Sequence, residues 1–450
     1  LNKAIFREYD IRGVVGVDLT PEVVELLGKG IGTYMIKHDA AMISLGRDGR
    51  ISSPDLHDYL LKGLLATGLN VVDLGVIPTP VSYYSTHRMA VDGAVMLTGS
   101  HNPPEFNGFK ITLGTASIYG KEIRRIAEII ESDDLVSGSG SVEDYDVLPE
   151  YIDDIVNRIT LARPVKLAVD CGNGVGGLTA GPVLEKLGCK PLMMFDEVDG
   201  RFPKHHPDPT IEANLAHLKE AVVSHGLEIG VAYDGDADRI GVIDETGRVM
   251  WGDQILAVLS RALLEEVPGA LIIGEVKCSQ LLFDDIEKHG GRALMWKVGH
   301  SLLKSKMYET GAELAGEMSG HIFYHNRYYG YDDGLYVTCR LLEMVSRSDK
   351  PVSRMLEDWH KLYNTPEIRR DCPDEIKFRV VEQVRDRFRD KYKVVDVDGM
   401  RVIMPGGWGL LRASNTQPVV VMRFEAESEE RLEEIRSEVE RTLRDVQDAF

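Results

Sequence analysis

The chain lacks several features that would each mark a class of protein. No apolar run approaches the ~18 residues that span a bilayer, which excludes a helical membrane protein. Residues 1–7 lack the apolar core of a secretory signal, and a first residue of Leu suggests a trimmed start. Cysteine is scarce: Cys171, Cys189, Cys278, Cys339 and Cys372 are odd in number and form no close pairs. Neither a disulfide framework nor a zinc site fits them, and reduced, buried thiols in a cytoplasmic protein are expected. Basic residues are in deficit, 52 Lys and Arg against 72 Asp and Glu, a net charge of −20. That excludes nucleic acid as a partner, because its binding needs a basic face.

What is present reads as a soluble globular protein, 43% hydrophobic and 28% charged. At 450 residues it is too long for one core, and two to four domains are expected. Strands alternate with helices in three successive units of similar plan, which implies parallel-type sheets flanked by helices. Each unit ends in a polar, Gly-bearing loop, so three loops are expected to face a common cleft. Linkers are expected at the Ser- and Gly-rich stretch 137–141 and at the turn near Gly247. From about Pro366 the plan changes to a smaller α+β unit, whose last helix carries Leu432, Ile435, Val439 and Leu443 at helical spacing.

The stretch from Asp92 to Lys110 organises the rest. Ala94 to Leu97 reads as a buried strand, and Thr98, Gly99, Ser100, His101 and Asn102 end it abruptly. Pro103 and Pro104 hold the chain extended, and Asn107-Gly108 reads as a turn into a second strand over 109–112. A serine displayed in this way suggests a nucleophile. The serine-hydrolase elbow does not fit, because Thr98 stands where that motif needs Gly.

In the second unit Asp234, Asp236 and Asp238 alternate with Gly235 and Ala237. In an extended turn three carboxylates converge, and so much negative charge persists only with a cation; hard oxygen ligands suit Mg²⁺. An EF-hand is rejected, since Arg239 stands at its glycine position and the flanks read as strands. Gly172, Gly174 and Gly177 satisfy a dinucleotide-binding fingerprint with Asp196 about twenty residues on. The other units have quite different loops at that position, so NAD binding by a dehydrogenase is the weaker reading and a packing turn the stronger. In the third unit Glu317 and Ser319 offer a carboxylate and a hydroxyl to sugar hydroxyls. In the last, Arg412, Ser414, Asn415 and Thr416 suit a phosphate dianion.

Together these four loops resemble those of the alpha-D-phosphohexomutases, the phosphoglucomutase and phosphomannomutase superfamily, in order and over essentially the full chain. Met318, residues 6–13 and residues 297–301 resemble the bifunctional phosphomannomutase/phosphoglucomutase subgroup. The resemblance implies an α/β fold with three similar mixed-sheet α/β/α domains (1–146, 147–248, 249–363) and a smaller C-terminal α+β domain (364–450) around a central cleft. It implies interconversion of hexose 1- and 6-phosphates, with a phosphoryl group carried on Ser100 and a hexose 1,6-bisphosphate intermediate. Mg²⁺ would be held by Asp234, Asp236, Asp238 and a phosphoserine oxygen on Ser100, with glucose 1,6-bisphosphate as activator. His101 and Lys110 are candidate bases, and Arg239 and Arg47 candidate partners of the phosphoserine. Glu317, Ser319, His300 and Lys277 are expected at the sugar, and the loop of Arg412 to Thr416, with Tyr9 and Arg12, at the distal phosphate. A hinge is expected near 362–366, and a monomer or weak dimer. A phosphoglucosamine mutase and a non-catalytic sugar-phosphate binder are the alternatives. The His205-His206 pair reads as structural.

Overall fold

The computed structural model describes residues 1–415 and 417–450, so Thr416 lies outside the described residues. The strand order of each of the first three sheets explains where function can sit. In the first, Met42–Arg47, Asn70–Val76 and Gly93–Leu97 run parallel, and Phe106–Leu113 lies antiparallel against Gly93–Leu97. In the second, Leu167–Asp170, Leu192–Met194 and Ile229–Tyr233 are parallel, and Ile240–Asp244 returns antiparallel. The third repeats this with Leu271–Glu275, Arg292–Trp296 and Leu314–Gly316, closed by antiparallel Ile322–Tyr324. The sheets are therefore mixed, as the resemblance implied. An antiparallel neighbour can follow after a short loop, whereas a parallel one needs a crossover. The three short loops so formed, at the end of a parallel strand in each sheet, are 98–105, 234–239 and 317–321.

The fourth sheet is wholly antiparallel, with Val419–Ala426, Gly407–Ala413 and Met400–Met404 at its centre. The helices Lys377–Arg389 and Glu429–Gln447 cover it with Val380, Val384, Ile435 and Val439, all buried. Tyr363–Asn364 pairs with Glu425 and Ala426 and so belongs to this sheet. A single apolar core runs from the first sheet's edge through the second and third units. No helix among the described residues is long and apolar enough to cross a membrane.

Two sequence expectations fail here. Asn107-Gly108 is not a turn: the strand starts at Phe106, and both residues lie inside it opposite Arg12 and Gly13. A Cβ on Gly108 would lie 2.4 Å from the Ile11 carbonyl oxygen, and Asn107 is buried, donating to Ser52 and Ser53 Oγ at 3.0 Å each. Nor is 137–141 a loose linker. Gly138 N and Gly140 N donate to the Ala66 and Leu65 carbonyls, and the chain then adds the strand Val142–Asp144 to the first sheet.

Candidate active site

The serine loop is held from below by two residues after Met42–Arg47. Asp48 accepts from Thr98 Oγ1 at 2.9 Å and from Gly99 N at 3.0 Å. Arg50, only 1% exposed, donates to the carbonyls of Ser100 (2.8 Å), Asn102 (2.5 Å), Pro103 (2.7 Å) and Phe106 (3.0 Å). This planar fork of donors can satisfy several carbonyls that a bent loop cannot pair internally. It holds Ser100 at φ +48°, a left-handed conformation that costs a non-glycine residue about 1–2 kcal/mol. The strain turns Ser100 Oγ toward Asp234 Oδ2 at 2.8 Å, with His101 Nδ1 at 3.1 Å.

Asp234, Asp236 and Asp238 are fully buried, and their oxygens converge within 4.8 Å. The turn that brings them together uses Ala237 at φ +62° and is braced from two other units: Thr79 Oγ1 donates to Asp236 Oδ2 at 2.6 Å, and Gly334 N donates to the Ala237 carbonyl. Lys110 donates to Asp236 Oδ2 at 2.8 Å and Asp238 Oδ2 at 2.5 Å. Their other oxygens, Asp236 Oδ1 and Asp238 Oδ1, have no hydrogen-bond partner among the described residues. Buried carboxylate oxygens left unpaired are costly, so the donor set fits a hard divalent cation with Lys110 still in place behind it. Burial, then Asp236 and Asp238, push Asp234 well above the usual carboxylate range; against burial, Lys110 holds Asp236 below it. Burial works against the Lys110 charge too, yet the two aspartates push its ammonium well above the ordinary lysine value. His101 moves the other way, held well below the ordinary histidine value by burial and then by Arg239 and Arg12.

Arg239 joins this cluster to the third unit. Its Nε donates to His321 Nε2 at 2.9 Å, so the proton of a neutral His321 sits on Nδ1, facing Asp332 Oδ2 at 2.8 Å. Lys304 in turn pairs with Asp332 at 3.0 Å. His300 stacks on His321 with ring centres 5.3 Å apart. Glu317 accepts from Gly299 N at 2.6 Å and from Ser319 Oγ at 3.3 Å. Tyr9 reaches across from the first unit, donating to the Val298 carbonyl at 2.9 Å and accepting from Asn415 Nδ2 at 2.8 Å. Arg412 donates to Asp398 at 2.9 Å. Ser414 Oγ accepts from Gln417 N at 3.1 Å. Arg12 bonds Asn102 Oδ1 at 2.7 Å and Asp10 at 2.6 Å. A cavity of about 520 Å³ lies among these groups, lined by His101, Asp208, Arg239, Lys277, Ser319 and Arg423 among others.

Arg47 makes no hydrogen bond or ion pair with the serine loop among the described residues. It acts on Asp73 and His57, and the guanidinium at the serine loop belongs to Arg50, three positions on. The glycine-rich turn packs against the aspartate loop: Val175 N donates to the Gly235 carbonyl, and a Cβ on Gly174 would lie 2.6 Å from the same oxygen. Asn173 N and Gly174 N also donate to carbonyls, so these amides are not free to cradle a pyrophosphate. His205 pairs with Asp170 at 3.0 Å, and His206 Nε2 meets the His101 carbonyl. Asp48, Arg50, Thr79, Glu275, His321, Asp332 and Asp398 were not selected by the sequence reading. His321, Asp48, Arg50 and Glu275 stood in polar loops at strand ends, which is the one sequence signal that could have pointed to them.

The chain is a phosphohexomutase, and it belongs to the phosphoglucomutase/phosphomannomutase family. It matches the family's alpha/beta/alpha domain I over residues 3–137, domain II over 149–247, domain III over 251–362 and its C-terminal domain over 367–442. It is 45% identical over 438 residues to a phosphomannomutase/phosphoglucomutase of Pseudomonas aeruginosa, covering 97% of this chain and 95% of that one. It is 42% identical over 442 residues to a phosphoglucomutase of Neisseria gonorrhoeae, covering 97% and 96%. The solved structure of a family protein from Burkholderia thailandensis superposes with a TM-score of 0.92 at 41% identity, covering 99% of this chain and 98% of that one.

Proposed function

We propose that the chain interconverts hexose 1-phosphates and hexose 6-phosphates of mannose and glucose through a phosphoryl group carried on Ser100. The observation that carries this reading is the strained Ser100 with its Oγ 2.8 Å from Asp234, in a buried cluster that keeps two carboxylate oxygens unpaired. In the first half-reaction the Ser100 Oγ–P bond breaks and a P–O bond forms to the free hydroxyl of the substrate. The proton of that hydroxyl needs an acceptor. Lys110 is held as an ammonium between two carboxylates, and His321 accepts from Arg239 through Nε2 with Nδ1 turned to Asp332, so His101, beside Ser100 Oγ, is the better placed base. Mg²⁺ held by Asp234, Asp236 and Asp238 would neutralise charge on the phosphoryl group during transfer.

The product of this step, a hexose 1,6-bisphosphate, then returns its other phosphate to Ser100. Glu317 and Ser319 grip sugar hydroxyls, with His300 and Lys277 alongside. Arg412, Ser414 and Asn415 bind the distal phosphate with Tyr9. Here Arg412 is paired with Asp398 and Asn415 with Tyr9, so a phosphate entering would exchange these contacts for its own. Closure on two substrate orientations requires the fourth unit to move, with the hinge at residues 362–366.

The test is turnover of glucose 1-phosphate, mannose 1-phosphate and glucosamine 1-phosphate in parallel, with Mg²⁺ and a trace of glucose 1,6-bisphosphate, then with the metal chelated. Comparable metal-dependent rates on the first two are expected. Preference for the amino sugar would instead make it a phosphoglucosamine mutase. Full turnover by Ser100→Ala would refute the phosphoserine route.

A further inference from the structure

Lys277 stands at the cavity, in a turn whose amides at Val276, Cys278 and Ser279 are bonded within its own unit while its carbonyls are bonded from another. Arg401, from the fourth sheet and fully buried, donates through Nη1 to the Val276 carbonyl and the Cys278 carbonyl, each at 2.7 Å. Arg423, two strands away in the same sheet, donates to the Lys277 carbonyl between them at 2.5 Å. Three successive carbonyls of the third unit are thus taken by two guanidinium groups of the fourth. Arg401 is itself fixed: its guanidinium lies 3.8 Å from the centre of the Trp408 ring and reaches Gln280 Oε1 at 3.2 Å. Trp408 Nε1 donates to Glu425, which also accepts from Gln280 N. Val276 closes the contact by packing with Trp408 and Leu410. The Lys277 ammonium points to Glu275 at 3.5 Å and to Glu367 at 3.4 Å, the latter again from the fourth unit.

A buried guanidinium is costly unless its donors meet acceptors; Nη1 and Nη2 of Arg401 do so, Nε has no partner among the described residues, and carbonyls of a tight turn are acceptors that few other groups can reach. We propose that Arg401 is a positioning residue: by holding the carbonyls on either side of Lys277 it sets how that lysine is presented to the substrate. Docking of the fourth unit and presentation of Lys277 are then one event, and a fourth unit that is not seated leaves the sugar subsite incomplete. The proposal rests on the reading that Lys277 touches the substrate.

The experiment is a double-mutant cycle on kcat/KM for glucose 1-phosphate, using the full chain with Mg²⁺. Its members are the parent, Arg401→Gln, Lys277→Ala and the double variant. If Arg401 acts through Lys277, the double variant is expected to be at least about fivefold more active than the product of the single losses. Arg401→Gln is expected to cost little once Lys277 is gone. A second cycle pairs Arg401→Gln with Asn415→Ala and is expected to be additive. Additive losses with Lys277→Ala overturn the proposal, and so does equal coupling in both cycles, which would mean general unseating of the fourth unit. Unchanged kcat/KM in Lys277→Ala alone would overturn the reading of Lys277 as well, a different result from additivity. Should Arg401→Gln fail to fold, Arg401→Lys keeps the charge and loses the fork, and the same cycle is read with it.

Discussion

Replacing Arg50 with Lys tests how the serine loop is held. Arg50 makes four hydrogen bonds to loop carbonyls, each of order 1 kcal/mol net. A lysine keeps the charge but lacks the planar fork, and can keep one or two of them. The two or three lost bonds amount to roughly 2–3 kcal/mol, more than the left-handed strain of about 1–2 kcal/mol that they hold in Ser100. Ser100 is therefore expected to relax toward negative φ, carrying Oγ away from Asp234. A displacement on the order of 1 Å at the reacting atom costs ~10²-fold in rate, so a loss of kcat of that size is expected with KM little changed. The assay is steady-state turnover of glucose 1-phosphate, with thermal melting to confirm that the variant is folded. Gly99→Ala attacks the same contact from the other side, because its Cβ would lie 2.3 Å from Arg50 Nε. A folded Arg50→Lys enzyme as fast as the parent would refute the claim that the fork sets the serine geometry.

Three other outcomes are expected. Asp236→Asn should abolish turnover and also the rise in melting temperature that Mg²⁺ gives the parent; an undiminished Mg²⁺-dependent rise would remove Asp236 from the metal site. Tyr9→Phe leaves the Val298 carbonyl and Asn415 without their shared partner, and should weaken substrate binding by roughly tenfold, for a loss near 1–2 kcal/mol; an unchanged KM would show that the bridge does not matter for closure. Asp333 is pushed up from 3.8 to about 6 by burial, despite its bonds from Tyr328 and Tyr151. A carboxyl whose folded pKa is raised binds its proton more tightly when folded, so its contribution to stability is present at low pH and falls between about pH 4 and 6. Asp333→Asn cannot titrate; relative to the parent it should gain about 3 kcal/mol across that window in urea unfolding, and a constant difference would rule this out.

The alternation of strand and helix and the change of plan near Pro366 were legible because each is a local pattern. Which strand of each sheet runs antiparallel was not. Ile240–Asp244, the antiparallel strand of the second sheet, is buried at all five positions and has the same apolar pattern as the parallel strands beside it. Asn107-Gly108 misled for a different reason. Its turn chemistry is real in isolation, but between Ile11–Val14 and Gly93–Leu97 the sheet demands an extended residue without a side chain, and Gly108 meets that demand. The two glycines at 138 and 140 likewise suggest slack where they allow contact with Gly68 and Leu69.

The site divides along the same line. Residues expected to face the substrate stand together in short motifs, since one loop must present several groups to one small molecule. Residues that hold those loops come singly from other units, as Thr79 does for Asp236, Asp398 for Arg412 and Asp332 for His321. A lone buried aspartate has no spacing to betray it; what identifies it is a partner that only the fold brings near. Arg47 and Arg50 illustrate this within four residues. Both are arginines of one short stretch with equal claim in sequence, but Arg47 ends a strand, while Arg50 lies three positions later, under the serine loop. The chain of contacts from Lys304 through Asp332, His321 and Arg239 to Asp234 has the same character. It links residues from two units, and each link makes sense only once its neighbours are in place. A fold that assembles its cleft from four units must carry such links between them, and they mark where loss of one side chain would be felt by a loop in another unit.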